Sequence, residues 1–467
     1  MKVKLHGLSV FRLLSILSLV FFMSCNKDTR NKEVLFTEVQ KGSVSAESLL
    51  LEAYGLVPQA RILRYSLKEK GGSVRSLTQD FYSASNPNIN FNGRSMIFSG
   101  QKKDTDIWQI YEMNLEDSEI IQLTNSVTNC LSPVYLPDGS IVFSKEISAD
   151  KVKEYALFKI KRDRQDEERI TFSPGSYFVL NTLQDGRIIC AKIRAGQNDQ
   201  SQRKLLVMRP DGSKEMLFSV SDLELVRSGF ESTDGTIYLF ESDPNKKGSV
   251  YSLNYSDPLF TKHILSDKVK DKTLSMSYSE PGRLLLSFDD SEKNESGVYE
   301  FNIIDNSLSG PVYSNANSKV ISIAAIQKRK VPKKIPSEVN HEENTALLLC
   351  QDAGFYGFQS EDAAAAKAVK LEVIGKKSSL GIVDLESDGS VYLKLKADTP
   401  FRLQTLDAEN NIVNGPSSWI NLRPNERRAC TGCHQGNDRV PDNRQPLAVT
   451  KEPISIPRVN ELLAKQE

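Results

Sequence analysis

The sequence predicts an all-β protein: a six-bladed β-propeller followed by a small β-sandwich-like domain that ends in a tail carrying the one chemical motif of the chain. Three observations predict it. A glycine turn recurs at Asn92-Gly93, Asp138-Gly139, Asp185-Gly186, Asp234-Gly235 and Pro281-Gly282, with successive glycines 46, 47, 49 and 47 residues apart. Each turn leads into an alternating apolar strand and then a second strand pair, and four strands per unit of forty-odd residues is propeller-blade spacing. Beyond a charged, proline-punctuated stretch, strand patterning returns from Ala346 onward without the period.

Taken in order, the chain opens with Lys2, Lys4 and Arg12, an apolar run from Leu13 to Met23, and then Ser24-Cys25. That run is too short to span a bilayer and has the layout of a secretory signal. Ser24-Cys25 resembles a bacterial lipobox, so residues 1–24 read as a signal peptide and Cys25 as the lipidated residue. Asn26 stands where inner-membrane retention uses Asp, which favours an outer-membrane address in the bacterial cell envelope. Residues 25–59 read as tether and lead-in. Removing three basic residues leaves 57 basic against 60 acidic groups, with no basic stripe, so nucleic-acid binding has no support.

The propeller is expected over residues 60–328. Asx-Gly between strands is a hairpin signal because glycine accepts the positive φ of a tight turn. The strands after the turns include Met96-Ile97-Phe98, Ile141-Val142-Phe143 and Ile237-Tyr238-Leu239. The sixth blade is assembled from both ends of this region. Ile62 to Tyr65 and Val74 to Thr78 supply one part, and Val320 to Ala324 the other, which closes the ring and removes exposed edges. The units resemble the TolB-type propeller repeat, a likeness that speaks to fold and not to activity. No catalytic constellation appears: there is no H-E-x-x-H, G-x-S-x-G or P-loop. Asp104, Asp106 and Asp234 read as turn formers or solvated blade edges, and His263 as a structural or surface residue. Cys130, Cys190 and Cys350, in apolar strand-like stretches, read as small buried hydrophobes.

Residues 329–345 read as a linker over the propeller surface, and 346–467 as the second domain. A short helical run is expected at Ala363–Ala366. Strands at Lys370–Ile374, Gly381–Val383, Val391–Leu395 and Phe401–Gln404, with turns at Asp388-Gly389 and Asp398–Pro400, predict a half-buried antiparallel sheet.

The tail holds Cys430-Thr431-Gly432-Cys433-His434. C-x-x-C-H is the attachment pattern of c-type haem. Two intervening residues match the vinyl spacing, and the following imidazole falls under the iron as an axial ligand. One covalent haem c held by Cys430, Cys433 and His434 is therefore expected. The rival is half a zinc site or a redox dithiol, for which Cys350 and His341 are the available further ligands. The 33 residues after His434 contain no Met, His or Tyr. The sixth iron position is thus open, or filled by His341, His263 or an uncommon donor. Trp419, Leu422, Leu447, Ile454 and Ile456 are candidate apolar walls, and Arg427 and Arg428 candidate propionate partners.

Three stretches carry a further likeness: LGIVDLESDGSVYLKLKADTPFRLQTLD, SWINLRPNERRACTGCH and NRQPLAVTKEPISIP. They resemble the haem-bearing middle domain of the hydrazine synthase alpha family, whose members also place a propeller before it. The resemblance implies haem attachment at Cys430, Cys433 and His434. Asp438 occupies the region where that family has a tyrosine iron ligand, and the synthase's further haem domain has no counterpart here, so hydrazine synthesis is not expected. The expected function is a membrane-anchored, extracytoplasmic monohaem cytochrome that passes electrons, with a redox partner protein or small ligand held by the propeller. A haem-dependent redox enzyme acting on a small molecule, and an interaction module with a structural haem, are the alternatives.

Overall fold

The computed structural model describes residues 32–40, 56–67, 72–149, 152–162, 167–193, 204–220, 225–242, 248–290, 295–354, 367–431 and 444–457. Cys25 with the signal region, the Ala363–Ala366 run, and Cys433, His434 and Asp438 lie outside them. The described residues form eight four-stranded sheets and one 3-10 turn, Leu447–Thr450. No helix among them is long and apolar enough to cross a membrane.

Six of the sheets are the propeller. The first blade is built from Ser83–Ile89, Ser95–Gln101, Gln109–Asn114 and Ile120–Gln122, in that order from centre to rim. The second, third, fourth and fifth repeat the order from Cys130, Ser176, Leu225 and Thr273. Inner strands pack side by side around a central channel, and the ring closes where the last blade meets Ser318–Ile326. The glycine turns hold each inner hairpin: Gly93, Gly139, Gly186 and Gly235 have φ of 78°, 86°, 93° and 84° and donate to the residue three back. The Thr closing the repeat has its own task. Thr78, Thr124 and Thr171 accept from the backbone N–H of Ile62, Ile110 and Leu157 at 2.8–2.9 Å, completing the third strand where the rim strand ends.

The closing blade departs from the sequence reading. Its order is Ser318–Ile326, Lys32–Gln40, Arg61–Leu67, Ser73–Ser76. Lys32–Gln40, assigned above to the tether, is thus a propeller strand paired on both sides, and the propeller begins at Lys32 instead of near 60. Val34, Leu35 and Phe36 have no solvent exposure. Leu35 packs toward Phe81 and Phe98 of the first blade, whereas Val34 and Phe36 pack with Leu285 and Val298 of the fifth. Alternating side chains point to opposite faces, so one short strand fills two interblade seams. Glu38 adds a polar clasp, accepting from Tyr313 Oη at 2.7 Å, from Asn315 at 3.1 Å and from Ser318.

The remaining two sheets form a β-sandwich. One has the order Arg427–Cys430, Thr345–Cys350, Val391–Lys396, Ile454–Ile456; the other Ser379–Asp384, Lys370–Ile374, Arg402–Leu406, Ile412–Asn414. Alternation in Val391, Leu393 and Leu395 directs all three inward, with exposures of 1%, 0% and 2%. They pack on Leu371, Val373 and Phe401 of the facing sheet. Leu422 and Ile456, read above as haem walls, are spent on this core, while Leu447 is exposed.

The stretch that begins at Arg329 is seated on the propeller. Arg329 N donates to Phe91 O at 2.9 Å, and Lys333 N to Gln184 O at 3.0 Å. The glycine at the third turn thereby gains a second constraint, because a Cβ on Gly186 would overlap the carbonyl oxygen of Lys333; Gly139 and Gly235 have open space at the same position.

Candidate functional site

The motif begins on the edge strand Arg427–Cys430, and its placement starts three residues earlier. Arg423 is 1% exposed and Glu426 fully buried. A buried guanidinium must be paired and hydrogen-bonded on every side, and the propeller supplies most of the partners. Arg423 donates to Asp211 O at 2.9 Å, to Asp398 Oδ1 at 2.9 Å and to Glu168, and lies over the Phe172 ring at 5.1 Å. Glu426 accepts from the backbone N–H of Lys214 at 2.9 Å, from Arg423 N at 2.8 Å and from Arg428 at 2.7 and 2.9 Å. Arg428 is therefore committed within its own loop, and Arg427 is the exposed arginine of the pair. Asp211 completes the junction, taking Ser337 Oγ at 2.8 Å and Glu338 N at 2.9 Å.

Burial alone would raise the Asp211 carboxyl, but hydrogen bonds from Ser213, Glu338 and Ser337 hold it below the ordinary aspartate value. With a folded-state pKa below the unfolded value of about 3.9, its contribution is complete above that value. It is lost as pH falls through the folded-state pKa. The stability difference between the wild-type chain and Asp211→Asn should accordingly be flat above about pH 4 and shrink below it in paired urea titrations. A difference that grows on acidification would contradict this account of Asp211.

From Glu426 the strand runs to Cys430 in parallel register with Thr345–Cys350, pairing Leu347 with Arg427 and Cys350 with Cys430. Cys430 is half-buried against the sandwich core, and Gln351 N donates to its carbonyl at 2.9 Å. The chain returns at the same corner. Arg444 reaches Asp352, two residues beyond Cys350, at 3.4 Å, and Leu447 N and Ala448 N donate to Asp388 and Ser390 at 2.9 and 3.0 Å. Both ends of the 432–443 stretch are thereby fixed at one corner of the sandwich. Cys433 and His434 lie outside the described residues. That corner suits a thioether-linked group: a half-buried thiol on a fixed strand, an apolar core behind it, and two anchors flanking the remaining motif residues.

The other sequence-predicted residues sit elsewhere. Both ring nitrogens of His263 are engaged in its own blade, at 3.0 Å from Ser252 Oγ and 2.9 Å from Thr261 O. His341 lies at the interdomain junction, with Nε2 3.4 Å from Glu168. Cys350 does neighbour Cys430. No group of three His, Cys, Asp or Glu side chains among the described residues could hold a metal ion. Cys130 and Cys190 are fully buried; desolvation pushes the Cys130 thiol up to about 11 and raises Cys190 as well. Sequence reasoning missed Arg423 and Glu426. Their signal was an Arg-x-x-Glu pair just before the motif, indistinguishable in one sequence from a solvated charged loop.

A second concave feature is the propeller channel, a cavity of about 700 Å³ walled by all six inner strands and capped at one end by linker residues Arg329, Lys330 and Pro332. Each inner strand breaks register at an equivalent place, which holds Asn86, Pro133, Leu180, Arg227, Leu274 and Ile321 at 47-residue spacing; the first two strands leave two residues unpaired there, and the fifth breaks register again between Tyr278 and Glu280. A bulge turns its extra residue out of the ladder, here into the cavity wall.

Comparison with known proteins agrees with this architecture. The family model described as the hydrazine synthase alpha subunit middle domain matches residues 317–435, from the closing inner strand through the motif. Hydrazine synthase subunit alpha of Kuenenia stuttgartiensis is 21% identical over 516 aligned positions, covering 81% of this chain. The chain spans 63% of that protein's length. The solved Kuenenia stuttgartiensis hydrazine synthase superposes with a TM-score of 0.75 at 19% identity, over 90% of this chain and 71% of that one. TolB from Acinetobacter baumannii gives a TM-score of 0.46 at 11% identity, over 65% of this chain and 67% of that one. The middle-domain match spans the sandwich and the motif, and the superposition extends through the propeller, so the chain is similar to the hydrazine synthase alpha subunit in fold across both units.

Proposed function

We propose that this protein is an extracytoplasmic haem c protein, lipid-anchored through Cys25 at the outer membrane, which transfers single electrons at the corner of its β-sandwich. Cys430 and Cys433 hold the haem vinyls by thioether bonds and His434 is the iron ligand, and such a haem supplies one-electron exchange. The supporting observation is the corner itself, where Cys430 lies on a rigid strand and both ends of the 432–443 stretch are pinned. The chain's own residues fix that corner. Arg423 and Glu426 set the strand against the propeller, and Asp352 and Asp388 hold the returning tail. The propeller is the platform that receives a redox partner protein or a small ligand.

The test is co-expression of the full chain with bacterial haem-attachment machinery, followed by denaturing electrophoresis with haem staining and spectra with and without carbon monoxide. The wild-type chain should retain one haem through denaturation. Cys430→Ser and Cys433→Ser should each cut covalent haem severely, and Cys25→Ser should move the chain from the membrane to the soluble fraction. Absence of covalent haem in the wild type would overturn the proposal. A spectrum that changes with carbon monoxide would replace electron transfer with small-ligand chemistry at the iron.

A further inference from the structure

The rim hairpins at the glycine-turn end of the propeller carry apolar side chains that the turns do not require. Rim hairpins and glycine turns share that end: Leu115 N donates to Arg94 O at 2.8 Å in the first blade, Tyr255 N to Gly235 O at 3.3 Å in the fourth, and Ile303 N to Gly282 O at 2.8 Å in the fifth. The first and fifth blades make the same hairpin. Asn114 donates to Asp117 at 2.9 Å and accepts from Glu116 N at 3.0 Å; Asn302 donates to Asp305 at 2.9 Å and accepts from Ile304 N at 3.0 Å. The same place in the turn is thus Glu116 in one blade and Ile304 in the other, and Ile304 is 84% exposed. The neighbouring hairpin, on the fourth blade, carries Phe260 at 68% exposure. Scattered exposed apolar side chains are ordinary. These two differ in that adjacent blades place them on rim hairpins of one end, where turn residues are usually polar.

The N-terminal strand says what lies opposite that end. In the closing blade Lys32 pairs with Leu67 and Glu33 with Ile326, so Lys32–Gln40 enters where the other blades have their glycine turns. Cys25 precedes Lys32 by seven residues, a lead that spans at most about 25 Å whatever its conformation. The opposite end of the ring lies one nine-residue strand further on, about 26 Å at strand rise. A bilayer holding Cys25 therefore meets the glycine-turn end or the flank of the closing blade before it reaches Ile107 and Val127, the exposed apolar residues of the opposite end. The sandwich stands on the second and third blades of the glycine-turn end, through Glu168, Asp211 and Lys214. The fifth blade lies across the ring from them, so contact falls along one rim and not over the whole end.

We infer that the rim of the fourth and fifth blades is a bilayer-contacting surface, with Phe260 and Ile304 entering the interface of the membrane that holds Cys25 and so fixing how the propeller is turned toward it. The inference rests on the reading of Cys25 as lipidated, and it is independent of the haem. Aromatic and aliphatic side chains gain by leaving water for the boundary between headgroups and acyl chains. Two side chains bind a bilayer weakly by themselves, but a seven-residue tether makes their insertion an intramolecular step at high effective concentration.

The test is hydrogen exchange of the full acylated chain reconstituted into vesicles of phosphatidylethanolamine and phosphatidylglycerol, with the full Cys25→Ser chain in solution as reference. Amides of residues 256–261 and 303–306 should exchange about fivefold or more slowly on the vesicles, while those of 126–128, at the other end, stay within about twofold. Phe260→Ser combined with Ile304→Glu should remove the protection although the chain remains acylated. The turn accepts glutamate at that place, as Glu116 shows, and thermal melts close to wild type verify folding. Hairpins that exchange equally fast in both states, or protection at 126–128 instead, overturn the inference. So does protection that appears in the Cys25→Ser chain without vesicles as its concentration is raised, which would assign the surface to a second copy. Intact mass of the same samples reads the acyl groups. Without them the anchoring reading and this inference fall together, whereas acylated chains with unprotected hairpins overturn the inference alone.

Discussion

Replacing Arg423 by alanine should uncouple the two domains and cost about 3–5 kcal/mol of stability, the range for removing one partner of a buried ionic cluster. The side chain is 1% exposed and bonds propeller and sandwich together in three directions: the Asp211 carbonyl, Asp398 and Glu168. Its removal leaves two carboxylates facing an emptied space and exposes the loop that positions Glu426. Burial already raises the Asp398 carboxyl even with Arg423 beside it, so losing the guanidinium should drive Asp398 toward protonation. The measurement is urea unfolding of a Trp108→Phe background, in which fluorescence reads Trp419 of the sandwich alone because Trp108 belongs to the propeller, together with limited proteolysis across residues 327–344. Arg423→Ala should separate the sandwich transition from that of the propeller and open the linker to cleavage. A single transition at the wild-type midpoint would show that backbone contacts alone hold the junction. Because the same loop launches the strand to Cys430, haem attachment should fall in this variant even though no haem ligand is altered.

The second large effect is expected at Phe36. This residue is fully buried in the seam between the closing and fifth blades, its ring 4.6 Å from that of Tyr313. Phe36→Ala removes the transfer free energy of the ring and leaves a cavity in a place that cannot collapse, about 3–5 kcal/mol for such a site. The loss falls on ring closure: Lys32–Gln40 is hydrogen-bonded to Ser318–Ile326 on one side and to Arg61–Leu67 on the other. Hydrogen exchange should show loss of protection in those two neighbours before the second and third blades respond. Uniform loss across all blades would mean that the ring unfolds as one unit and that closure is not its weak point.

The relationship to hydrazine synthase bears on architecture. The likeness spans 90% of this chain by superposition at 19% identity, and the chain covers 63% of the relative's length. Electron transfer by this chain is a proposal with its own test and does not borrow the relative's reaction.

Much of this molecule is written in local pattern. The glycine turns at 93, 139, 186 and 235 follow from the positive φ that only a residue without Cβ adopts freely, and the period follows from four strands per hairpin pair. Inward alternation at Val391, Leu393 and Leu395 follows from the two-residue period of a strand. The C-x-x-C-H pattern is legible because the haem attachment proposed for it fixes its spacing. What the sequence could not disclose are contacts made between distant segments. Lys32–Gln40 lies outside the repeat period, and nothing local tells that its Val-Leu-Phe fills two seams at once. Arg423 and Glu426 read as one more charged loop, since a single sequence cannot say whether a charge faces water or a carboxylate more than 200 residues away. Short-range sterics and hydrogen bonding decide turns, strands and the motif; burial, which depends on which surfaces meet, decides where the charges and the ring closure fall.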